Sequence, residues 1–265
     1  MIVALFGLGE AGSRFAADLA REGHEVHGYD PAPVATPPGV RRADTPADAV
    51  RNAALVIALT AAADASEALE QALDLIPVGA VYADVGTGSA GLKQHLAYVA
   101  GKQGLLFVDV ALMATVPGRG LRTPALASGP GAERYVELMA PFGIDLESVG
   151  PVAGDAATRK LLRSVFMKGL AAVVIEAMRA GEAAGQADWL WNNMVDELTA
   201  SGAPLLSRLV RGTGPHALRR LHEMEASTAL LEELGVDPLM TRSTVESLKR
   251  VIRDGLPDIP VVPDE

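Results

Sequence analysis

The stretch MIVALFGLGEAGSRFAADLA at the start of the sequence constrains the chain more than any other. A short apolar run, of the kind buried on both faces in a parallel sheet, leads directly into Gly7, Gly9 and Gly12. An Ala-rich amphipathic stretch follows. The order predicts strand, tight turn, helix. Gly7 permits the turn, Gly9 lets the backbone approach a phosphate with no Cβ in the way, and Gly12 lets helix and strand pack closely. The N-terminus of the helix then offers free N–H groups and a partial positive charge to a pyrophosphate. The expected cofactor loop is therefore Gly7, Leu8, Gly9, Glu10, Ala11 and Gly12. The next apolar run, EVHGYD, ends at Asp30, where a carboxylate would accept hydrogen bonds from an adenosine ribose. An acid there repels a 2′-phosphate, which favours NAD without excluding NADP. Arg41 and Arg42 lie just beyond and work against that preference.

From residue 1 to about 150 the pattern repeats. The runs LVIALT, AVYADV, LLFVDVAL and TPALASG read as strands. TPADAVRNA, ADASEALEQALDLI, AGLKQHLAYVAGKQ and AERYVELMAPFG read as helices. Such alternation implies right-handed βαβ units and a parallel sheet. Ligands in such sheets lie across the carboxyl ends of the strands, which singles out Thr60 and Thr87 as cofactor contacts. Helix capping explains either threonine as well.

After Gly154 the pattern changes to helices alone. DAATRKLLRSVFMKGLAAVVIEAMRAGEAAG has Gly169 as its one internal weak point, and four further helical segments follow. The tail LPDIPVVPDE is Pro-rich and reads as loosely attached. The expected organisation is an α/β Rossmann-type domain over 1–152 and an all-α domain over 153–265, begun by a long interdomain helix.

Composition narrows the classes of function. A net charge of -10 argues against nucleic acid or an anionic membrane as partner, although one local cationic site still accommodates a small anion. There is no cysteine, so disulfides, thiolate metal sites and cysteine nucleophiles are excluded. The five histidines are scattered and make no ligand pair, so no metal site is expected. The run before Gly7 is too short for a signal-peptide core, and charges interrupt the apolar region 161–180. The expectation is a cytoplasmic protein.

The GLGxxG start, the acid ending the second strand, the Asp84-to-Thr87 segment and the long helix opening an all-α domain together resemble the β-hydroxyacid dehydrogenases. That superfamily includes 3-hydroxyisobutyrate and 6-phosphogluconate dehydrogenases. The resemblance is strong over the first 110 residues or so and weaker beyond. It implies hydride transfer with a nicotinamide cofactor, a catalytic lysine early in the long helix, and a homodimer paired through the all-α domain. The matching lysine is Lys160, six residues after Gly154, but Arg163 and Ser164 replace the family's two asparagines. The family's D-A-P-V-S-G-G substrate loop corresponds to DVALMAT, starting at Asp109, with Met113, Ala114 and Thr115 in place of Ser-Gly-Gly. The VPGRGLRTPALASGP and SVFMKGLAA segments look more like a 6-phosphogluconate-dehydrogenase-like branch with a compact C-terminal domain of unassigned role.

Oxidising an alcohol or reducing a carbonyl requires one proton to be moved at the reacting oxygen. Lys160 is the candidate acid/base, and Ser164, four residues on, shares its face and is a candidate hydrogen-bond partner for the substrate. Lys168 is the rival lysine on the same face. Arg119, Arg122 and Arg163 suggest an anionic small-molecule substrate, since a guanidinium binds carboxylate or phosphate at two points. Met113 lies at the substrate-loop position. His222, Glu223 and Glu225 are candidate contributors from the all-α domain, and Trp189 and Trp191 read as anchors of core or of a subunit contact. The leading reading is an NAD(P)-dependent oxidoreductase acting on a hydroxyacid or related carbonyl. An imine reductase on the same fold and a non-catalytic NAD(H)- or metabolite-binding protein are the alternatives.

Overall fold

In a computed structural model of the chain, residues 1–199 and 202–259 are described; the last six residues of the Pro-rich tail lie outside them. The contacts divide the chain into two compact units, Met1–Arg163 and a second beginning at Ser164.

The first unit is built on one eight-stranded sheet. Its strands are β1 (Ile2–Phe6), β2 (Glu25–Tyr29), β3 (Val40–Arg42), β4 (Leu55–Ala58), β5 (Val81–Asp84), β6 (Leu106–Leu112), β7 (Ala125–Ser128) and β8 (Leu146–Ser148). They lie in the order β3-β2-β1-β4-β5-β6-β7-β8. Every neighbouring pair is parallel except β6 and β7. From β1 the chain first builds outward through β2 and β3, then crosses to the other side of β1 to place β4. The carboxyl ends of β1 and β4 thus flank the switch point, where open α/β sheets bind ligands.

Helices α1 (Glu10–Arg21), α2 (Pro46–Val50), α3 (Ala65–Glu70), α4 (Ala90–Lys102) and α5 (Ala132–Met139) cover the sheet. Strand alternation divides the core between the two faces. Val3 and Leu5 join Phe15, Leu19, Ile57, Tyr135 and Met139 on one side. Ala4 and Phe6 join Val50, Val56, Leu69, Tyr82 and Leu96 on the other. Local chemistry sets several helix starts. Thr45 accepts from the Asp48 N–H ahead of Pro46, and Ser89 accepts from the Leu92 N–H. At Gly9 no side chain caps α1, so its first turn stays open to a ligand.

Helix α6 (Asp155–Ala183) carries the division between the units and continues into the second, with α7 (Ala187–Thr199), α8 (Gly202–Arg211), α9 (Ala217–Glu233) and α10 (Leu239–Asp254). Leu221, Met224, Val245 and Leu248 form the seam between α9 and α10. Glu176 of α6 caps α10. Its carboxylate accepts from the Met240 N–H at 2.6 Å, the Thr241 N–H at 2.8 Å and the Thr241 hydroxyl at 2.6 Å. Burial alone would raise the Glu176 pKa, but these bonds and the nearby Arg242 outweigh it and hold the carboxyl below its ordinary value. Many apolar side chains of this unit face solvent, including Val165, Phe166, Val173 and Ile175 on α6. Trp189 and Trp191 are 64% and 52% exposed, so neither anchors a core within the single chain.

Candidate functional site

The glycine loop fits a dinucleotide for reasons that can be read atom by atom. A Cβ on Gly7 would stand 2.5 Å from the Leu59 carbonyl oxygen, and Gly7 has φ of +86°. A Cβ on Gly12 would stand 1.8 Å from the Gly7 carbonyl oxygen. These two glycines shape the loop. Gly9 differs: apart from its chain neighbours, nothing lies within 4 Å of where its Cβ would be, so the space in front of it is open. Leu8 turns inward onto Gly28, and its N–H donates to Asp30 Oδ2 at 2.7 Å. Glu10 is exposed and Ala11 half-buried at the start of α1.

Gly7, Gly9, Asp30 and Thr60 line one groove of about 410 Å³ at the switch point, together with Pro31 and Ala61. The Thr60 hydroxyl is buried there with no hydrogen-bond partner among the described residues. Such an orphan is costly unless a ligand meets it. The bare approach at Gly9, the uncapped α1 and this hydroxyl are what a dinucleotide would use. The other oxygen of Asp30, Oδ1, accepts from the Ala32 N–H at 2.9 Å. Arg42 is spent on the carbonyls of Asp30, Ala32 and Val34, and Arg41 on Asp48.

Thr87 lies beyond this groove, on the loop after β5. Its hydroxyl accepts from Lys160 Nζ at 3.1 Å. Thr87, Lys160 and Asp109 line a small cavity of about 10 Å³, near the lower limit for one water. Beneath it sits a cluster that the sequence did not single out. Lys93 of α4 is 1% exposed, Asp84 2% and Asp109 0%. The Lys93 ammonium faces Asp84 Oδ2 at 3.1 Å and Asp109 Oδ1 at 3.3 Å, and donates to the carbonyls of Asp84 and Gly86. Asp109 Oδ2 accepts from the Ala157 N–H at 2.9 Å and from Ser128 Oγ, which itself accepts from the Ala156 N–H. Burial raises the Asp84 pKa above the usual carboxylate range, and the opposing pull of Lys93 does not fully cancel it. A signal for Lys93 does exist: with Leu96 and Ala100 it forms the buried stripe of α4, and a lysine within such a stripe is out of pattern.

The arginines of the expected substrate loop go elsewhere. The segment after β6 folds back onto α1, where Asp18 accepts from the Leu121 N–H at 2.7 Å and its carboxylate fills the space a Cβ on Gly120 would need. Arg119 and Arg122 therefore line an open groove of about 670 Å³ with Arg14 and Arg21, and this groove shares no lining residue with either site above. Met113 is half-buried, and its N–H is taken by the Pro124 carbonyl at 2.8 Å. Arg163, at the end of the first unit, and Lys168 are exposed on α6, while Ser164 is half-buried. Glu223 pairs with Arg219 on exposed α9 surface.

Comparison with known proteins agrees with this architecture. Residues 2–133 match the NAD binding domain of 6-phosphogluconate dehydrogenase, and residues 182–251 match a domain of unknown function, DUF1932. A probable 3-hydroxyisobutyrate dehydrogenase of Mycobacterium tuberculosis H37Rv is 27% identical over 203 residues, 73% of this chain but only 58% of that protein. An uncharacterized 28.5 kDa protein of Methanothermus fervidus is 26% identical over 175 residues, 66% of this chain and 67% of that one. Among solved structures, a conserved hypothetical protein from Sinorhizobium meliloti 1021 matches with a TM-score of 0.62 and 27% identity, over 96% of this chain and 90% of that one. An imine reductase from Myxococcus stipitatus in complex with NADP+ matches with a TM-score of 0.82 and 19% identity, over 96% and 95%. A likeness at that identity shows the fold alone.

Fold, glycine loop and family match define an NAD(P)-binding domain of the dehydrogenase type, followed by a helical region. The chain belongs to the β-hydroxyacid dehydrogenase superfamily, whose members are NAD(P)-dependent dehydrogenases and reductases. Among the described residues, no helix is long and apolar enough to cross a membrane.

Proposed function

We propose that the protein is an NAD(P)-dependent oxidoreductase acting on a small carbonyl compound or the corresponding alcohol, with Lys160 as the group that moves the proton. The observation that carries this reading is the Lys160–Thr87 contact at 3.1 Å, on the loop leaving β5 at the carboxyl end of the sheet. Gly7, Leu8, Gly9, Glu10, Ala11 and Gly12 would receive the pyrophosphate, Asp30 the adenosine ribose, and Thr60 a polar group of the cofactor. When bound, the cofactor would give a hydride to the carbonyl carbon in reduction or accept one from the alcohol carbon in oxidation. Lys160 gives a proton to the oxygen in reduction or takes it in oxidation, and Thr87 fixes the direction of its Nζ.

Asp30 favours NAD in this reading, and the engagement of Arg41 and Arg42 with carboxylate and carbonyl oxygens leaves neither as an evident clamp for a 2′-phosphate. Support for an anionic substrate is weaker than the sequence suggests, because Arg119 and Arg122 line the groove on α1 and the Met113 N–H is already paired. That same loss favours the second reading, reduction of a C=N bond, as the name of the imine reductase whose fold the chain shares suggests. The exposed Val165, Phe166, Val173 and Ile175 of α6 support a homodimer in which a second copy covers them.

The test is a panel of hydroxyacids, phosphorylated hydroxyacids, ketones and imines followed at 340 nm with each cofactor, for the wild type and Lys160→Ala. Turnover lost in Lys160→Ala with NADH binding intact supports the reading. Full turnover in Lys160→Ala removes the lysine from the mechanism. NADH binding without turnover on any substrate moves the protein to the non-catalytic class.

A further inference from the structure

Three buried charges demand an explanation. Lys93, Asp84 and Asp109 are each at most 2% exposed. Burying an ion triad costs several kcal/mol per ion, and apolar replacements of the same volume are often as stable or more so. Stability alone is therefore a poor reason for the cluster, whereas positioning is a good one. Its bonds run to two separate elements that meet at Lys160.

The first is the loop after β5. Lys93 Nζ donates to the Asp84 carbonyl at 3.0 Å and to the Gly86 carbonyl at 2.8 Å, while Asp84 Oδ1 accepts from the Gly86 N–H at 3.0 Å. This fixes the residue immediately before Thr87. The second is the first turn of α6. Asp109 Oδ2 holds the Ala157 N–H at 2.9 Å, and Ser128 Oγ, bonded to the same oxygen, holds the Ala156 N–H at 3.0 Å. A carboxylate there also suits the positive end of the helix. Lys160 lies one turn further along. Lys93 joins the two halves by facing both carboxylates at once.

We infer that Lys93, bridging Asp84 and Asp109, is the positioning residue that sets the Thr87 loop and the start of α6 in register, so that Lys160 Nζ meets Thr87 Oγ1. This rests on the reading of Lys160 as the proton-moving group, and its test has a readout independent of turnover. The chain has five lysines, so ¹³C-dimethylated protein gives few resonances, and Lys160→Met identifies the one sought. Lys93→Met is compared with Leu96→Ala, which removes a buried side chain from the same face of α4 without touching the charges. We expect Lys93→Met to bind NADH within about threefold of wild type and to lose about tenfold in kcat, more than its KM changes. Its Lys160 resonance should move toward those of Lys168 and Lys249. Leu96→Ala should lose stability while keeping both kcat and the resonance. A Lys93→Met protein with the wild-type resonance overturns the inference, as does a Leu96→Ala protein that moves the resonance equally. If Lys93→Met does not fold, Ser128→Ala tests the α6 half alone: a displaced Lys160 resonance supports the inference and an unmoved one overturns it. Full turnover in Lys160→Met would refute the proton-transfer reading instead, and the resonance would still decide the positioning.

Discussion

Gly9→Ala and Gly12→Ala should separate dinucleotide binding from stability. In Gly12→Ala the new Cβ lies 1.8 Å from the Gly7 carbonyl oxygen and 3.2 Å from Leu5 Cδ2. A nonbonded carbon and oxygen need more than 3.0 Å, so β1 and α1 must part by over an ångström or the loop must change course. Forcing a group into a packed site of this kind costs about 3 kcal/mol. For a chain of this size that corresponds to a fall of roughly 6–12 °C in Tm. In Gly9→Ala the Cβ meets nothing within 4 Å, and φ of -64° with ψ of -163° suits alanine. The weaker helix cap and the reduced freedom of the unfolded chain oppose each other, so stability should stay within about 0.5 kcal/mol of wild type. That Cβ nevertheless stands where a pyrophosphate must approach. NADH affinity should fall about 100-fold, equivalent to about 2.7 kcal/mol. Thermal melts without cofactor and NADH fluorescence titrations measure the two quantities separately. A Gly9→Ala protein that binds NADH like wild type, or that melts as early as Gly12→Ala, would refute the reasoning.

Asp30→Ser should shift the ratio of NADH to NADPH affinity about tenfold toward NADPH in titrations of the two cofactors, about 1.4 kcal/mol, if the Asp30 carboxylate repels a 2′-phosphate; an unchanged ratio assigns selectivity elsewhere. Glu176 has a folded-state pKa below its unfolded value, so its stabilising contribution is fully present above the ordinary glutamate pKa of 4.5 and is lost as pH falls through the lower folded value. Glu176→Gln should therefore show a flatter decline of Tm with acidification below pH 4.5 than wild type, and parallel curves would contradict the assignment. Replacing exposed Val165 and Phe166 together with glutamate should lower the mass seen by light scattering from twice 27.5 kDa to 27.5 kDa; an unchanged mass points to another interface or none.

The sequence by itself determined the features that depend on neighbours along the chain. The apolar run to Phe6 and the spacing of Gly7, Gly9 and Gly12 specify strand, turn and helix, because each is a local rule of period and backbone freedom. The helix expected over 63–76 is shorter: α3 ends at Glu70 and a single 3₁₀ turn, Leu73–Leu75, follows. The strands β3 and β8 have three residues each, too few to show an alternating pattern, and only pairing with β2 and β7 makes them strands. The tertiary structure alone decided where charge goes. Asp18 takes the Leu121 N–H across 103 positions and carries Arg119 and Arg122 to the flank of α1. Asp109 takes the Ala157 N–H across 48 positions, and Lys93 closes the triangle with Asp84. A buried charge is stable only where the folded chain brings it a partner, and periodicity carries no record of partners so distant.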